Sequence, residues 1–172
     1  MASRDLREEI FDLIYSKGRI EEAILKLNRI IKSTPEDSRA IALKAFALNK
    51  LANTRKHWEY SRTAFDCAER SLMLNPSDDI ALTSKGWALI DLGRAQEALK
   101  PLEQAARLGG RNEYAWYNLA WAQYLTGNST ASTESIRKAL ELDPGNSVIK
   151  RGKEMMERGE VPRHLKKLRR NF

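Results

Sequence analysis

Residues 113–146 read EYAWYNLAWAQYLTGNSTASTESIRKALELDPGN, and this stretch decides the fold. Two segments of helical period are separated by Gly127. The second stops before Pro144, because proline disfavours helical geometry in the residue ahead of it. The unit therefore reads as a helical hairpin. Small residues stand at its eighth place (Ala120) and twentieth (Ser132), and apolar or small ones at the twenty-fourth (Ile136) and twenty-seventh (Ala139). Small side chains at these places let two helices approach closely.

The same pattern repeats backwards along the chain in units 4–37, 38–78 and 79–112. The eighth place holds Ala45 and Gly86, with Phe11 as the exception, and the twentieth holds Ala23, Ala64 and Ala98. Leu27, Ala68 and Leu102 take the twenty-fourth, and Ile30, Ser71 and Ala105 the twenty-seventh. Gly18 and Gly93 are the turns matching Gly127, and Pro35 and Pro76 match Pro144. Asp37, Asp78, Asn112 and Asn146 each stand where they can cap the following helix. Three units have 34 residues; the unit 38–78 has seven more, about two helical turns. With no Gly or Pro in 51–60, the extra length is expected to extend the hairpin helices. Pro101 removes one backbone donor inside a helix and should bend it locally.

These repeats resemble the tetratricopeptide repeat over nearly all of residues 4–146. Trp116, Leu119, Ala120, Ala139 and Pro144 sit at the family's signature spacings, and Lys85-Gly86-Trp87-Ala88-Leu89 is a common variant of its first helix. The resemblance implies an all-α fold, a right-handed superhelical array of antiparallel helix pairs. Because one repeat cannot bury its own apolar face, the array needs a polar cap. Residues 147–158 supply one, with Val148, Ile149, Met155 and Met156 inward and Lys150, Arg151, Lys153 and Glu157 outward. The domain so defined spans 4–158, and 159–172 form a basic C-terminal segment.

Length and composition agree with one short array. Of 172 residues, 42% are apolar and 31% charged, too balanced for a disordered polymer. The net charge of +7 divides unevenly. Residues 1–146 hold 21 Lys plus Arg against 20 Asp plus Glu, while 147–172 hold 9 against 3. An electrostatic partner would therefore meet the C-terminal segment, through Arg163, Lys166, Lys167, Arg169 and Arg170. Val161, Leu165, Leu168 and Phe172 share one helical face there, which should dock on the array end, its groove or a partner. No apolar run reaches a membrane span, and residues 1–10 are charged where a signal peptide is apolar, so a cytoplasmic location is expected. Single Cys67 excludes an internal disulfide.

By the same resemblance, the second, fifth, ninth and twelfth places of each first helix look into a concave groove. This gives Asp5, Glu8, Asp12 and Tyr15 in the first repeat, Arg39, Ala42, Phe46 and Asn49 in the second and Ile80, Thr83, Trp87 and Ile90 in the third. The fourth gives Tyr114, Tyr117, Trp121 and Tyr124, with Asn118 at the sixth place. Tyr117 and Tyr124 read first as packing residues, whereas Trp87 and Trp121 fit either packing or ligand anchoring. The three acids favour a basic flank on a partner. The family's carboxylate clamp is absent, since its places hold Glu8, Asp12, Leu43, Ile80 and Ser84 or, one repeat on, Ala42, Phe46, Ser84, Tyr114 and Asn118. Lys44 and Lys85 read as lysines with packed stems, Cys67 as a packing residue and His57 as exposed. With no phosphate loop, metal-ligand set or catalytic triad, no enzyme, cofactor or metal is expected. The expected function is a monomeric adaptor or chaperone holding a peptide segment of a partner in the groove. The alternative is an RNA- or anionic-surface-binding protein acting through the basic segment.

Overall fold

A computed structural model provides the structure and describes residues 6–16, 18–55, 57–109, 112–162 and 165. These residues contain helices and no strand. In chain order they are α1 (Leu6–Phe11), extended by a π-helical turn (Asp12–Ser16), α2 (Ile20–Ser33), α3 (Ser38–Arg55) and α4 (Glu59–Leu74). Then follow α5 (Asp79–Asp91), α6 (Ala95–Gly109), α7 (Glu113–Leu125), α8 (Ser129–Leu142) and α9 (Ser147–Glu157). The chain forms two compact units, Met1–Lys85 and Gly86–Phe172, and the division falls inside α5.

Local chemistry explains the boundaries. Asp37 Oδ1 accepts from the Ala40 N–H at 2.9 Å and Asp78 Oδ1 from Ala81 at 2.8 Å. Asn112 serves Ala115 at 3.1 Å, and Asn146 serves Val148 and Ile149 at 3.1 and 3.3 Å. Each such cap satisfies a donor that the helix leaves open and contributes about 1 kcal/mol. The hairpin turns need a left-handed residue. Gly93 has φ 79° and Gly127 φ 87°. The following amides, of Arg94 and Asn128, close back on the carbonyls of Leu89 and Gln123 at 2.8 Å, tying off each helix end. Asn128 then caps α8 by accepting from Ala131 at 3.1 Å.

The recurring small residues are where the helices meet. In the first unit Ala23, Leu27, Ala45, Ala64, Ala68 and Ser71 are buried. The Ser71 hydroxyl donates to the Ser38 carbonyl at 2.8 Å, so this polar group enters the core with its partner. In the second unit Ala98, Leu102, Ala105, Ala120, Ser132, Ile136 and Ala139 are buried likewise. The tightest approach is at Gly86. A Cβ built there would lie 2.3 Å from Leu102 Cγ, so α5 and α6 touch through the missing side chain.

The extra residues of the second repeat lie mainly in its first helix, since α3 has 18 residues where α5 and α7 have 13. α6 runs unbroken over 15 residues with Pro101 inside it. α9 seals the second unit: Ile149 is buried with Ala120, Ile136 and Ala139, and Met156 packs on the same cluster beside Trp116 and Tyr117. One inward residue expected of this cap is corrected. Val148 is 46% exposed, because the buried stripe runs through Ile149 and Gly152 to half-buried Met155 and Met156 and leaves Val148 off it. Val161 and Leu165 are also buried, and the Leu165 N–H donates to the Pro162 carbonyl at 2.9 Å. Leu168 and Phe172 lie outside the described residues.

Two outcomes follow for stability. Gly86→Ala should lose about 1–2 kcal/mol in urea denaturation, because overpacking at Leu102 outweighs the gain of about 1 kcal/mol in helix propensity. Leu102→Val in the same chain should recover part of that loss. Deleting residues 161–172 should lower the midpoint temperature, since two buried aliphatic side chains contribute about 1.5–3 kcal/mol each; an unchanged midpoint would show that this segment covers nothing.

Candidate functional site

The aromatic residues of the fourth repeat share one stripe of α7. Tyr114, Tyr117, Asn118, Trp121 and Tyr124 follow at steps of three or four residues or stand next to one another on that face. The Trp121 indole meets the Tyr117 ring edge-on, with centroids 6.4 Å apart at 90°, and the Tyr124 ring at 5.8 Å and 88°. Such edge-to-face contacts suit the ring quadrupoles and fix the three rings as one ladder. Trp121 keeps only 4% of its surface exposed and Trp87 8%. Trp121 is therefore a wall of the face, half-buried Tyr114 and Tyr124 form its rim, and Trp87 is buried on α5.

Tyr117 leads away from the rim. A Cβ on Gly152 of α9 would lie 2.6 Å from its Cε2, so the phenol fills the space that this glycine leaves. Burial pushes the Tyr117 phenol above the usual tyrosine range, and the hydrogen bond with the Trp121 side chain acts in the opposite direction. Asn118 is buried beside it, and its Nδ2 finds no hydrogen-bond acceptor among the described residues. The Gln123 side-chain Oε1 accepts from the Ser135 hydroxyl at 2.8 Å and ties α7 to α8.

In the first unit Phe46 is buried at the centre of a second aromatic cluster. Phe11 meets it edge-on at 4.9 Å and Tyr15 lies tilted at 6.2 Å. The Lys50 ammonium sits 4.4 Å from the centroid of the Tyr15 ring. Lys50 is not among the candidates read from sequence, because it occupies the thirteenth place of its helix rather than the second, fifth, ninth or twelfth. Of the expected acids, Glu8 is exposed, Asp12 is half-buried and engaged, and Asp5 lies outside the described residues. Arg163, Lys166, Lys167, Arg169 and Arg170 also lie outside them.

The remaining reactive groups are quiet. Burial pushes the Cys67 thiol up, away from thiolate formation. His57 is exposed, and Lys85 pairs with Glu69 at 2.5 Å. Among the described residues no group of His, Cys, Asp and Glu could hold a metal ion, and no helix is long and apolar enough to cross a membrane.

The tetratricopeptide repeat profile matches residues 62–147, half of the chain. The chain belongs to the tetratricopeptide repeat family. Small glutamine-rich tetratricopeptide repeat-containing protein 2 of Mycosarcoma maydis is 25% identical over 89 residues, which make up 52% of this chain and 25% of that protein. The chain covers 17% and 13% of the length of two further curated relatives. A thermophilic tetratricopeptide repeat protein of Thermus thermophilus superposes with a TM-score of 0.66 at 18% identity, over 84% of this chain and 76% of that one. The second such domain of human RPAP3, solved with an HSP70 peptide, superposes with a TM-score of 0.56 at 18% identity, over 70% of this chain and 98% of that one. These likenesses are of fold. The repeat is a protein-interaction scaffold and typically noncatalytic.

The raised Tyr117 phenol makes a pH prediction. The folded state holds the proton more tightly than the unfolded one, so the stabilisation is complete below the ordinary tyrosine range, near pH 10, and is lost as pH rises through the folded value. Unfolding free energy measured at rising alkaline pH should fall less steeply in Tyr117→Phe than in the unmodified chain. Equal slopes would place Tyr117 in water.

Proposed function

We propose that the chain is an adaptor or chaperone-like module that holds a peptide segment of another protein against the α7 face of its second unit. The observation that carries this reading is the ladder of Tyr117, Trp121 and Tyr124, with Tyr114 at its rim and the Asn118 amide on the same stripe. Locked aromatic rings offer contact area with little rotamer entropy left to lose, which is why such residues dominate interfaces. The peptide complex of the RPAP3 domain supports the reading by analogy of fold. Trp87 and Phe46, both nearly covered, contribute core packing in the second and the first unit respectively. The chain works without catalysis or a cofactor, as a monomer, in a reducing cytoplasmic setting suited to its single thiol.

A second reading rests on the charge of residues 147–172, where 9 Lys plus Arg face 3 Asp plus Glu. It assigns an RNA or anionic surface to Arg163, Lys166, Lys167, Arg169 and Arg170. The two readings separate by salt. Binding through the α7 face should tolerate salt, whereas phosphate contacts weaken steeply with it.

The test is capture of short synthetic peptides by the whole immobilised chain. Tyr114→Ala and Tyr124→Ala together should weaken binding of a selected peptide by about 2 kcal/mol or more, with helicity by circular dichroism unchanged. Alanine at Trp87 or Trp121 is a poorer probe, because truncating a buried aromatic costs about 3–5 kcal/mol of stability. Unchanged affinity in the double tyrosine variant would remove the α7 face from the site. Salt-steep binding lost when the five basic residues become glutamine would favour the second reading.

A further inference from the structure

The cations of the first unit differ in whether they have found a counter-charge. Lys26 pairs with Glu9, Arg19 with Glu22, Arg55 with Glu21 at 2.6 Å and Lys85 with Glu69 at 2.5 Å. Lys50 is half-buried and meets the Tyr15 ring instead, with no carboxylate at ion-pair distance among the described residues. A cation over a partly exposed ring gains about 0.5–1 kcal/mol, whereas a charge-assisted hydrogen bond contributes about 1.5–3 kcal/mol. The ring holds the ammonium in place without neutralising it. Burial alone pushes the Lys50 ammonium below the usual lysine range, a direction that an arriving carboxylate reverses.

The surroundings narrow what can arrive. Tyr15 is 39% exposed and leans on buried Phe46 and on Phe11, so an apolar surface adjoins the ammonium. The neighbouring Asn49 amide is buried, and its Nδ2 already donates to the Ser84 carbonyl at 2.8 Å. One ammonium suits one carboxylate, while a phosphate dianion calls for a fork or several donors. Glu8 is exposed and solvated and Asp12 is engaged, and neither is paired with the Lys50 ammonium.

We infer that Lys50, set on the cluster of Phe11, Tyr15 and Phe46, is a binding subsite for an aspartate or glutamate side chain that adjoins an apolar residue in a peptide partner. This rests on the reading of the chain as a peptide binder. It adds a charge rule to that reading and places it in the first unit.

The experiment selects binders from a synthetic library of short peptides with amidated C-termini, using the whole chain and its Lys50→Met variant. Methionine keeps the apolar stem and removes an unpaired desolvated charge, so the variant should be at least as stable as the parent by thermal melt. Peptides selected by the parent should be enriched in Asp or Glu beside an apolar residue, and those selected by Lys50→Met should not. For one selected peptide, Lys50→Met and replacement of the peptide acid by its amide should each weaken binding about ten-fold, and the pair together no more than either alone. Binders without acid enrichment, or equal losses for acid and amide peptides, would overturn the subsite and leave peptide binding standing. A library that yields no binder to either chain would overturn both the subsite and the peptide-binding reading.

Discussion

The closeness of the two helices in each hairpin is the constraint on which the rest of the structure depends. At Gly86 and Leu102 the approach is so tight that even one methyl group has no room, and Ala45 and Ala120 keep the matching place small in the second and fourth repeats, with Phe11 the exception in the first. Ridges that meet without large side chains bring helix axes toward the short end of the usual range of about 8–10 Å. A hairpin built this way has little interior volume of its own. Its large side chains must go to the outer face of the first helix, where they pack on the next element or face a partner. Tyr117 does the former, filling the gap at Gly152, and half-buried Tyr114 and Tyr124 are the residues the proposed reading gives to a partner. The same constraint thus produces both the stacking surface and the candidate binding surface.

Much of this was legible in the sequence because the signals are local. A proline ends a helix, a glycine turns the chain, and Asp37, Asp78, Asn112 and Asn146 each cap within three residues of themselves. Where the outcome depends on what lies across the packing, the sequence was silent or wrong. Val148 and Ile149 are equally apolar neighbours, and only the angle at which α9 meets α7 and α8 decides that Ile149 is buried and Val148 is not. Tyr117 and Tyr124 look alike on α7, yet the absent side chain at Gly152 takes one and not the other. Asn128 carries the same chemistry as the other caps and escapes notice because it stands inside a repeat, beside the turn glycine, rather than at a repeat boundary.

Burial also changes what the candidate site can be. A tryptophan that projects from a surface anchors by inserting into a pocket on its partner. Trp121, wedged between two tyrosines and almost wholly covered, cannot insert into anything without leaving its ladder. In the proposed site its contribution would be rigidity: its edge-on contact holds Tyr124, so the rim would lose little freedom to a ligand. Under the proposed reading, selectivity has to come from groups that lack partners among the described residues. Asn118 is one in the second unit. Solvated charges such as Glu8 supply little, since water already answers them and salt screens them.

Lys50 shows how the longer second repeat creates such a group. In α5 and α7 the thirteenth residue is the last of the helix, Asp91 or Leu125, and a cation there would lie beside the partial negative charge of the helix end. The same place in α3 is Lys50, but α3 continues to Arg55. Five further residues carry the helix end about 7 Å away, and the favourable field of the terminus fades within its last turn. Arg55 takes the terminal position and adds its pair with Glu21, so that end of the helix is answered twice. Lys50 is left on the helix flank, desolvated by its neighbours and beyond the reach of the dipole, with the Tyr15 ring and no carboxylate against it among the described residues. The insertion therefore does more than lengthen a hairpin: it moves the helix terminus away from a fixed cation and leaves that cation to find its counter-charge outside the helix.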